Sequence, residues 1–152
     1  MKVYLDTSVI LRRLLNEPNS VSNWGRWDAA YASSIWLIEA QRTVDRLRLE
    51  GRLCDEDVAR LRDDLRKVHA SLHIVPLSED VLVRAGEAFP TTVGTLDAIH
   101  LASALAIRSS VQLDRFLTHD RRLAVAAASL DFAVEGVWEP PTDKTGRNCP
   151  TQ

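Results

Sequence analysis

The strongest constraint on the fold of this chain is the alternation of short β-like runs with helical patterns. Apolar runs typical of strands occupy residues 2–5, 31–33, 73–77, 115–118 and 132–134. Between them, apolar residues recur at the three- and four-residue spacing of helices. Strands separated by helices form βαβ units, and such units build a parallel sheet. The alternation therefore predicts an α/β fold, with a parallel sheet of four to five strands and helices on both faces.

The helical patterns and their end signals predict how the chain is divided. Helices are expected over about 9–15, 22–30, 34–50, 55–72, 78–89, 96–107 and 119–129, with Gly51 and Ser78 as typical end and start signals. The periodic pattern stops at Pro140 and Pro141. We therefore expect one domain over residues 1–139 and a polar, disordered tail over residues 140–152.

Composition excludes several classes of protein. The chain has 152 residues, enough for a hydrophobic core without disulfides. Its 19 Lys and Arg against 21 Asp and Glu give a net charge of −2, so no global positive excess exists to displace counterions from a nucleic acid. Cys54 and Cys149 indicate neither a disulfide framework nor a zinc site, and no stretch is apolar enough to cross a membrane. A cytoplasmic protein is expected.

Two aspartates directly follow predicted strands. Asp6 follows the first strand and precedes Thr7 and Ser8, and Asp120 follows the fourth strand, two residues after Thr118. Ligands of parallel α/β sheets bind beyond the carboxyl ends of the strands, which makes both positions candidates for a site. Each aspartate is equally explained as the N-cap of the next helix, because Asp is a preferred capping residue.

Two further acids stand almost alone in apolar helical segments. Asp97 shares residues 96–107 with one other ionisable residue, His100, and Glu39 is the lone charge in the first half of the helix over 34–50. Burying an unpaired carboxylate costs several kcal/mol, so each of these acids needs a compensating partner. Asp97 also lies near enough to the helix start to be a first-turn acid that the helix dipole favours.

Four carboxylates at one edge of a sheet would repel one another unless some are protonated or a divalent cation neutralises them. Without a Cys or His cluster, oxygen ligands suit Mg²⁺ or Mn²⁺ better than zinc. A cation of this kind binds phosphate oxygens and orients an attacking water, which indicates phosphodiester hydrolysis. A phosphotransfer receiver or phosphatase is a weaker hypothesis, because it normally needs a lysine near the site and Lys2, Lys67 and Lys144 are poorly placed for that role.

The segments that carry these acids also match a known family in order and spacing. They are residues 4–8 (YLDTS), the strand-to-helix segment around Glu39, residues 96–104 (LDAIHLASA) and residues 117–124 (LTHDRRLA). Over about residues 2–138 the chain resembles the PIN-domain ribonucleases, in particular the VapC toxins of bacterial type II toxin–antitoxin systems. The resemblance implies an acidic Mg²⁺ site, endonucleolytic cleavage of RNA, a small VapB-like antitoxin as partner, and dimers joined to that antitoxin.

Carried over position by position, the resemblance implies roles for individual residues. It gives catalytic and metal-binding roles to Asp6, Glu39, Asp97 and Asp120, and supporting polar roles to Thr7, Ser8 and Thr118. It gives no catalytic role to His100, for which packing near the site is expected.

Three more residues are judged from their positions in the sequence. Arg42 lies one turn from Glu39 and Arg121 adjoins Asp120, so both are candidate phosphate contacts. Asp114 precedes the fourth strand and is only a distant substitute for Asp120.

Two functional hypotheses remain. The first is a Mg²⁺-dependent endoribonuclease that acts as the toxin of a toxin–antitoxin pair. The alternative is a catalytically weak protein-interaction module whose acidic pocket binds an arginine of the antitoxin. Metal-dependent cleavage of RNA separates the two.

Overall fold

The computed structural model describes residues 1–137, and these form the predicted α/β fold. The strands are β1 (Lys2–Leu5), β2 (Ala29–Ser33), β3 (His73–Val75), β4 (Arg115–Leu117) and β5 (Val134–Glu135). The helices are α1 (Thr7–Leu14), α2 (Trp36–Leu49), α3 (Asp55–Ser71), α4 (Glu79–Gly86), α5 (Thr95–Arg108) and α6 (Arg121–Ala128). All strand pairs are parallel, which confirms the predicted sheet. The tail predicted over residues 140–152, and the domain end at residue 139, lie outside the described residues.

The helix predicted over residues 22–30 is wrong. Residues 22–25 form turns, and Ala29 already pairs with Lys2 as the first residue of β2. Gly25 has a φ of 76°, a left-handed conformation that interrupts a helix. The i, i+3 spacing of Trp24 and Trp27 brings their rings edge to face in this turn, with centroids 5.3 Å apart. The spacing reflects a local aromatic contact instead of a helical face.

The last strand begins two residues later than predicted. It was expected over residues 132–134, and it covers Val134–Glu135. Asp131 has a φ of 63°, and the amide of Phe132 still bonds to the carbonyl of Ala127 at the end of α6. Phe132 is buried in the core, so its apolar character serves packing beneath the sheet before the strand begins.

Side chains alternate between the two faces of the central strand, and each face has its own core. Val3 and Leu5 pack against α1, α2 and α3, while Tyr4 and Phe116 pack against α5 and α6. The rings of Tyr4 and Phe116 stack with centroids 4.9 Å apart. Helices therefore cover both faces of the sheet, as the sequence predicts. None of the helices in residues 1–137 is long and apolar enough to span a membrane.

The strand order is β3-β2-β1-β4-β5, which means that the chain winds outward from β1 and then returns to its other side. The direction of winding changes between β1 and β4, and a crevice opens at the carboxyl ends of strands at such a switch point. The amide of Asp6 donates to the carbonyl of Leu117 at 3.0 Å and ties these two strand ends together. The two predicted aspartates, Asp6 and Asp120, thus follow the ends of adjacent strands.

Candidate active site

Asp6 lies at the end of β1 with only 6% of its surface exposed. Its Oδ2 accepts a hydrogen bond from Thr118 Oγ1 at 2.9 Å and further bonds from the hydroxyl and the backbone amide of Ser8. Asp6 is therefore the N-cap of α1, as one interpretation held, and also a buried carboxylate at the switch point. Thr118 and Ser8, two of the predicted supporting residues, hold it in place.

Asp120 follows the same local pattern but is exposed. Its Oδ1 accepts hydrogen bonds from the amides of Arg122 (2.7 Å) and Leu123 (3.1 Å), so it caps α6. Its own amide donates to Thr118 Oγ1 at 3.0 Å. The hydroxyl of Thr118 therefore links the carboxylate of Asp6 to the backbone of Asp120.

Glu39 lies in the first turn of α2 and points toward Asp6 through a shared partner, His100. Its Oε2 accepts hydrogen bonds from Thr7 Oγ1 and from His100 Nε2, the latter at 2.8 Å. His100 Nε2 also lies 3.5 Å from Asp6 Oδ1. This imidazole is 1% exposed, and it joins the two carboxylates that enter from α2 and from β1.

The sequence predicts only packing for His100, and this part of the site was missed. A usable signal was present, because His100 is one of two ionisable residues in the apolar segment 96–107. A buried polar side chain needs a hydrogen-bond partner just as a buried carboxylate does. The partner, Glu39, lies 61 residues away in the chain, and only the folded structure identifies it.

Burial and charge shift the pKa values of this pair in opposite directions. Burial by itself would raise the pKa of Glu39, but the hydrogen bonds from His100 and Thr7 outweigh it and lower the pKa below its usual value. Burial would likewise lower the pKa of His100, yet the hydrogen bond to Glu39 and the negative charge of Asp6 raise it. The surroundings therefore favour a carboxylate beside an imidazolium.

Asp97 lies in the first turn of α5, partly exposed, and is a first-turn acid as one interpretation proposed. Burial raises its pKa, and so do the negative charges of Asp120 and Asp6. Asp97 is thus close enough to both Asp120 and Asp6 to be affected by their charge, and Glu39 is linked to Asp6 through His100. Asp6 and Asp120 themselves follow β1 and β4 at the switch point.

The donor chemistry of this site suits a hard divalent cation. Its side chains offer carboxylate and hydroxyl oxygens, the ligands that Mg²⁺ and Mn²⁺ prefer. A cation would also relieve the repulsion that raises the pKa of Asp97. In the side-chain positions of residues 1–137, no group of three His, Cys, Asp or Glu side chains is arranged to hold a metal ion. The donors therefore suit the cation in chemistry and in charge, while their side chains as they stand are not arranged around one point.

The structure places the remaining candidates outside this cluster. Arg42 is exposed, forms an ion pair with Asp45 at 3.3 Å, and lines a groove between α2 and α3. Arg121 is exposed at the start of α6, next to Asp120. Asp114 precedes β4 and accepts a hydrogen bond from the amide of Lys2, so it lies at the amino edge of the sheet. It is too far along the strand to replace Asp120.

Fold and site together describe a doubly wound α/β domain with acidic side chains at its switch point, and comparisons with known proteins identify its family. A family model described as the PIN domain matches residues 3–129. Ribonuclease VapC47 of Mycobacterium tuberculosis (strain CDC 1551 / Oshkosh) is 31% identical over 137 residues, which cover 86% of this chain and 93% of that protein. The chain therefore belongs to the PIN-domain family and, within it, to the VapC type.

Solved structures agree on the fold. The crystal structure of FitAcB from Neisseria gonorrhoeae superposes with a TM-score of 0.66 at 22% identity, covering 87% of this chain and 95% of that one. The structure of Mycobacterium tuberculosis VapC20, a toxin that cleaves the sarcin-ricin loop, superposes with a TM-score of 0.59 at 13% identity, covering 82% of this chain and 94% of the other. At these identities the likeness concerns the fold.

Proposed function

We propose that this protein is a Mg²⁺-dependent endoribonuclease and the toxin of a type II toxin–antitoxin pair, acting in the cytoplasm. The observation that carries the proposal is the position of Asp6 at the end of β1, linked through His100 to Glu39 and close enough to Asp97 to raise the pKa of that carboxyl. Membership of the VapC type supports the class of reaction, because the relative VapC47 is named a ribonuclease. VapC20, a structural neighbour, is a toxin that cleaves RNA.

In this proposal Asp6, Glu39, Asp97 and Asp120 hold Mg²⁺, and Mn²⁺ is an acceptable substitute. When bound there, the cation would supply Lewis-acid chemistry: contacts to phosphate oxygens, orientation of an attacking water and compensation of charge in the transition state. The protein's own contribution is to fix the ligands. Hydroxyls of Ser8 and Thr118 orient the carboxylate of Asp6, and Thr7 orients that of Glu39.

The charge of the site determines how RNA approaches. The four carboxylates repel a phosphate until a cation compensates them, and the whole chain has a net charge of −2. Local arginines must therefore assist. Arg121, exposed beside Asp120, is the better placed candidate for a phosphate contact, while Arg42 is paired with Asp45. We expect Arg121→Ala to weaken RNA binding more than Arg42→Ala does.

The antitoxin partner is proposed from the toxin class and from one surface feature. A groove of about 480 Å³ lies between α2 and α3. Its apolar residues are Leu37, Val44, Val58 and Leu65, and its basic residues are Arg42, Arg48, Arg62 and Arg66. Asp45 also lines the groove and forms ion pairs with Arg42 and Arg48, so Arg62 and Arg66 supply most of its positive charge. Such a groove suits an amphipathic helix with acidic side chains. We further propose that the toxin forms a homodimer within the complex.

The test is cleavage of a mixed RNA substrate by the purified protein with Mg²⁺, with Mn²⁺ and with excess EDTA. Asp6→Asn and Asp97→Asn should abolish metal-dependent cleavage. The matched control is Asp114→Asn, which changes an acid at the opposite edge of the sheet and should leave cleavage intact. Undiminished cleavage by both site variants overturns the assignment.

The alternative function, a protein-interaction module, predicts a different result. A folded protein that binds its antitoxin tightly but cleaves no RNA with any divalent cation would support that function. In that case an arginine of the antitoxin, paired with Asp6 or Asp97, would occupy the acidic pocket. Substitution of that arginine would then weaken the complex strongly, because it would leave buried carboxylates unpaired.

A further inference from the structure

A continuous line of buried hydrogen bonds runs from the backbone of β2 to the acidic site. The amide of Ser33 donates to Tyr4 Oη at 3.2 Å, and Tyr4 Oη lies 3.0 Å from His100 Nδ1. On the far side of the ring, His100 Nε2 lies 2.8 Å from Glu39 Oε2. Tyr4, Ser33 and His100 are each at most 1% exposed. Residues of three elements, β1, β2 and α5, thus form one line of hydrogen bonds that ends at the carboxylate of Glu39.

The chemistry of the groups fixes the direction of the bonds at the two ends of this line. An amide can only donate, so Tyr4 Oη accepts from Ser33; Tyr4 Oη donates to Nδ1 of a neutral His100 and accepts from Nδ1 of an imidazolium. Burial and the charge of Asp6 raise the pKa of Tyr4 well above its usual value, and its hydroxyl therefore stays protonated. A neutral imidazole that accepts at Nδ1 has its proton on Nε2, where it donates to Glu39. An imidazolium also donates from Nε2, so the bond to Glu39 has the same direction in both forms.

The two oxygens of Glu39 consequently differ. Oε2 accepts from both Thr7 Oγ1 and His100 Nε2. For Oε1 no hydrogen bond occurs within the described part of the chain, and this oxygen remains for an external ligand. We propose that His100, anchored by Tyr4, is a positioning residue: it holds Oε2 of Glu39 and so presents Oε1 to the divalent cation. This inference rests on the proposed metal site, since the cation is the ligand that Oε1 would receive.

A purely structural role explains these residues poorly. Phenylalanine at position 4 would fill a similar volume in the apolar cluster that contains Tyr4, and leucine at position 100 would fill space without bonding to Tyr4 or Glu39. Burying a hydroxyl and an imidazole costs free energy that only their hydrogen bonds offset. Groups that hold metal ligands from behind typically change metal affinity 10- to 100-fold when they are removed. The arrangement is that of a support for Glu39.

The test compares two substitutions of nearly equal size. In His100→Gln the amide nitrogen takes the place of Nε2 and can still donate to Glu39, whereas in His100→Asn it reaches only the place of Nδ1. The readout is Mn²⁺ affinity measured by calorimetry on the full-length protein without RNA. We expect His100→Gln to stay within a few-fold of wild type and His100→Asn to bind roughly tenfold more weakly. Asp114→Asn, which changes an acid at the opposite edge of the sheet, is the control and should bind as wild type does.

A second readout needs no metal. ¹⁵N NMR of the His100 ring in the metal-free protein should show the neutral ring protonated at Nε2, with a signal that Glu39→Gln shifts and Asp114→Asn does not. Equal Mn²⁺ affinity of the Gln and Asn variants, or a neutral ring protonated at Nδ1, overturns the inference. A different result is that wild type binds no Mn²⁺ although the ring is protonated at Nε2. That result would overturn both the proposed metal function and the presentation of Oε1 to a cation. It would leave the hydrogen bond from His100 to Glu39 confirmed.

Discussion

The acidic site has two halves that the protein treats differently. The held half consists of Asp6 and Glu39, whose carboxylates accept hydrogen bonds from Ser8, Thr118, Thr7 and His100. The open half consists of Asp97, which is half-buried, and Asp120, which is exposed. Asp120 accepts only from the amides of its own helix, and the pKa of Asp97 is raised by burial and by its acidic neighbours. Hydrogen bonds offset the cost of burying the carboxylates of the held half. In the open half, the charges of neighbouring acids still raise the pKa of Asp97.

In the proposed metal site, this difference would make one half rigid and leave the other ready for a cation. Ligands held by buried hydrogen bonds need little reorganisation when a ligand arrives. Ligands under mutual repulsion gain most when a positive charge enters between them. The held half lies on the central strand β1 and on α2, within reach of α5. The open half lies at two helix starts, where water reaches the carboxylates.

The largest expected effect is on cleavage and is the same for both halves. Asp6→Ala and Asp97→Ala should each lower the Mg²⁺-dependent rate by more than the roughly 100-fold that loss of a supporting group can cost. The reason is that, in the proposed metal site, the loss of a ligand directly weakens the binding of the cation. Initial rates at saturating Mg²⁺ measure the effect. A variant of either half that retains more than a tenth of the activity would show that this half does not hold the metal.

Loss of the hydroxyl that links the halves should destabilise the fold. Thr118→Val removes a donor to Asp6 and the acceptor of the Asp120 amide in a fully buried place. We expect a loss of about 1–3 kcal/mol in the free energy of unfolding. Urea denaturation measures it. The control is Thr91→Val, because the buried Thr91 hydroxyl has no hydrogen-bond partner within residues 1–137 and its removal should be neutral.

The open half should gain stability when its charge is removed. Asp97→Asn removes a carboxylate whose pKa is raised by burial and by Asp120 and Asp6. Because solvent screens a half-exposed carboxylate, we expect the metal-free protein to melt higher by at most roughly 2–4 °C, the shift that about 1 kcal/mol produces in a chain of this size. Calorimetry in EDTA measures it. The folded-state pKa is raised, so the gain should vanish below about pH 3.9, where the carboxyl is protonated in both folded and unfolded states. A lower melting temperature at neutral pH would contradict the assignment of repulsion.

The held half should show its own pH signature, the smallest of the expected effects. The lowered pKa of Glu39 stabilises the fold above about pH 4.3, and this contribution is lost as the pH falls through the folded-state value. The raised pKa of His100 stabilises it below about pH 6.5, and this contribution is lost as the pH rises through the folded-state value. The pair therefore contributes most between those values. The free energies of unfolding of wild type and His100→Gln, measured from pH 4 to 9, should differ most within that window. A difference that does not change with pH would contradict an ion pair between Glu39 and His100.

Local patterns in the sequence were sufficient for most of the fold. The strand-then-acid pattern around Asp6 and Asp120 combines an apolar run with a helix cap, and both signals depend on neighbouring residues only. The helix predicted over 22–30 failed because Trp24 and Trp27 meet in a turn, where the same spacing arises from an aromatic contact. The last strand was misplaced because Phe132 is buried beneath the sheet before pairing begins.

The sequence by itself determined the α/β alternation and the family, and it named the four candidate acids, because each depends on residue types at short spacings. The tertiary structure decided which acids are held and which are open. Asp6 and Asp120 have the same local pattern, yet one is buried beside His100 and the other faces water. The role of His100 depends on Glu39 and Tyr4, which lie 61 and 96 residues away. Hydrogen bonds across such separations form only when strand order and helix packing bring the groups together, and local sequence patterns contain no record of them.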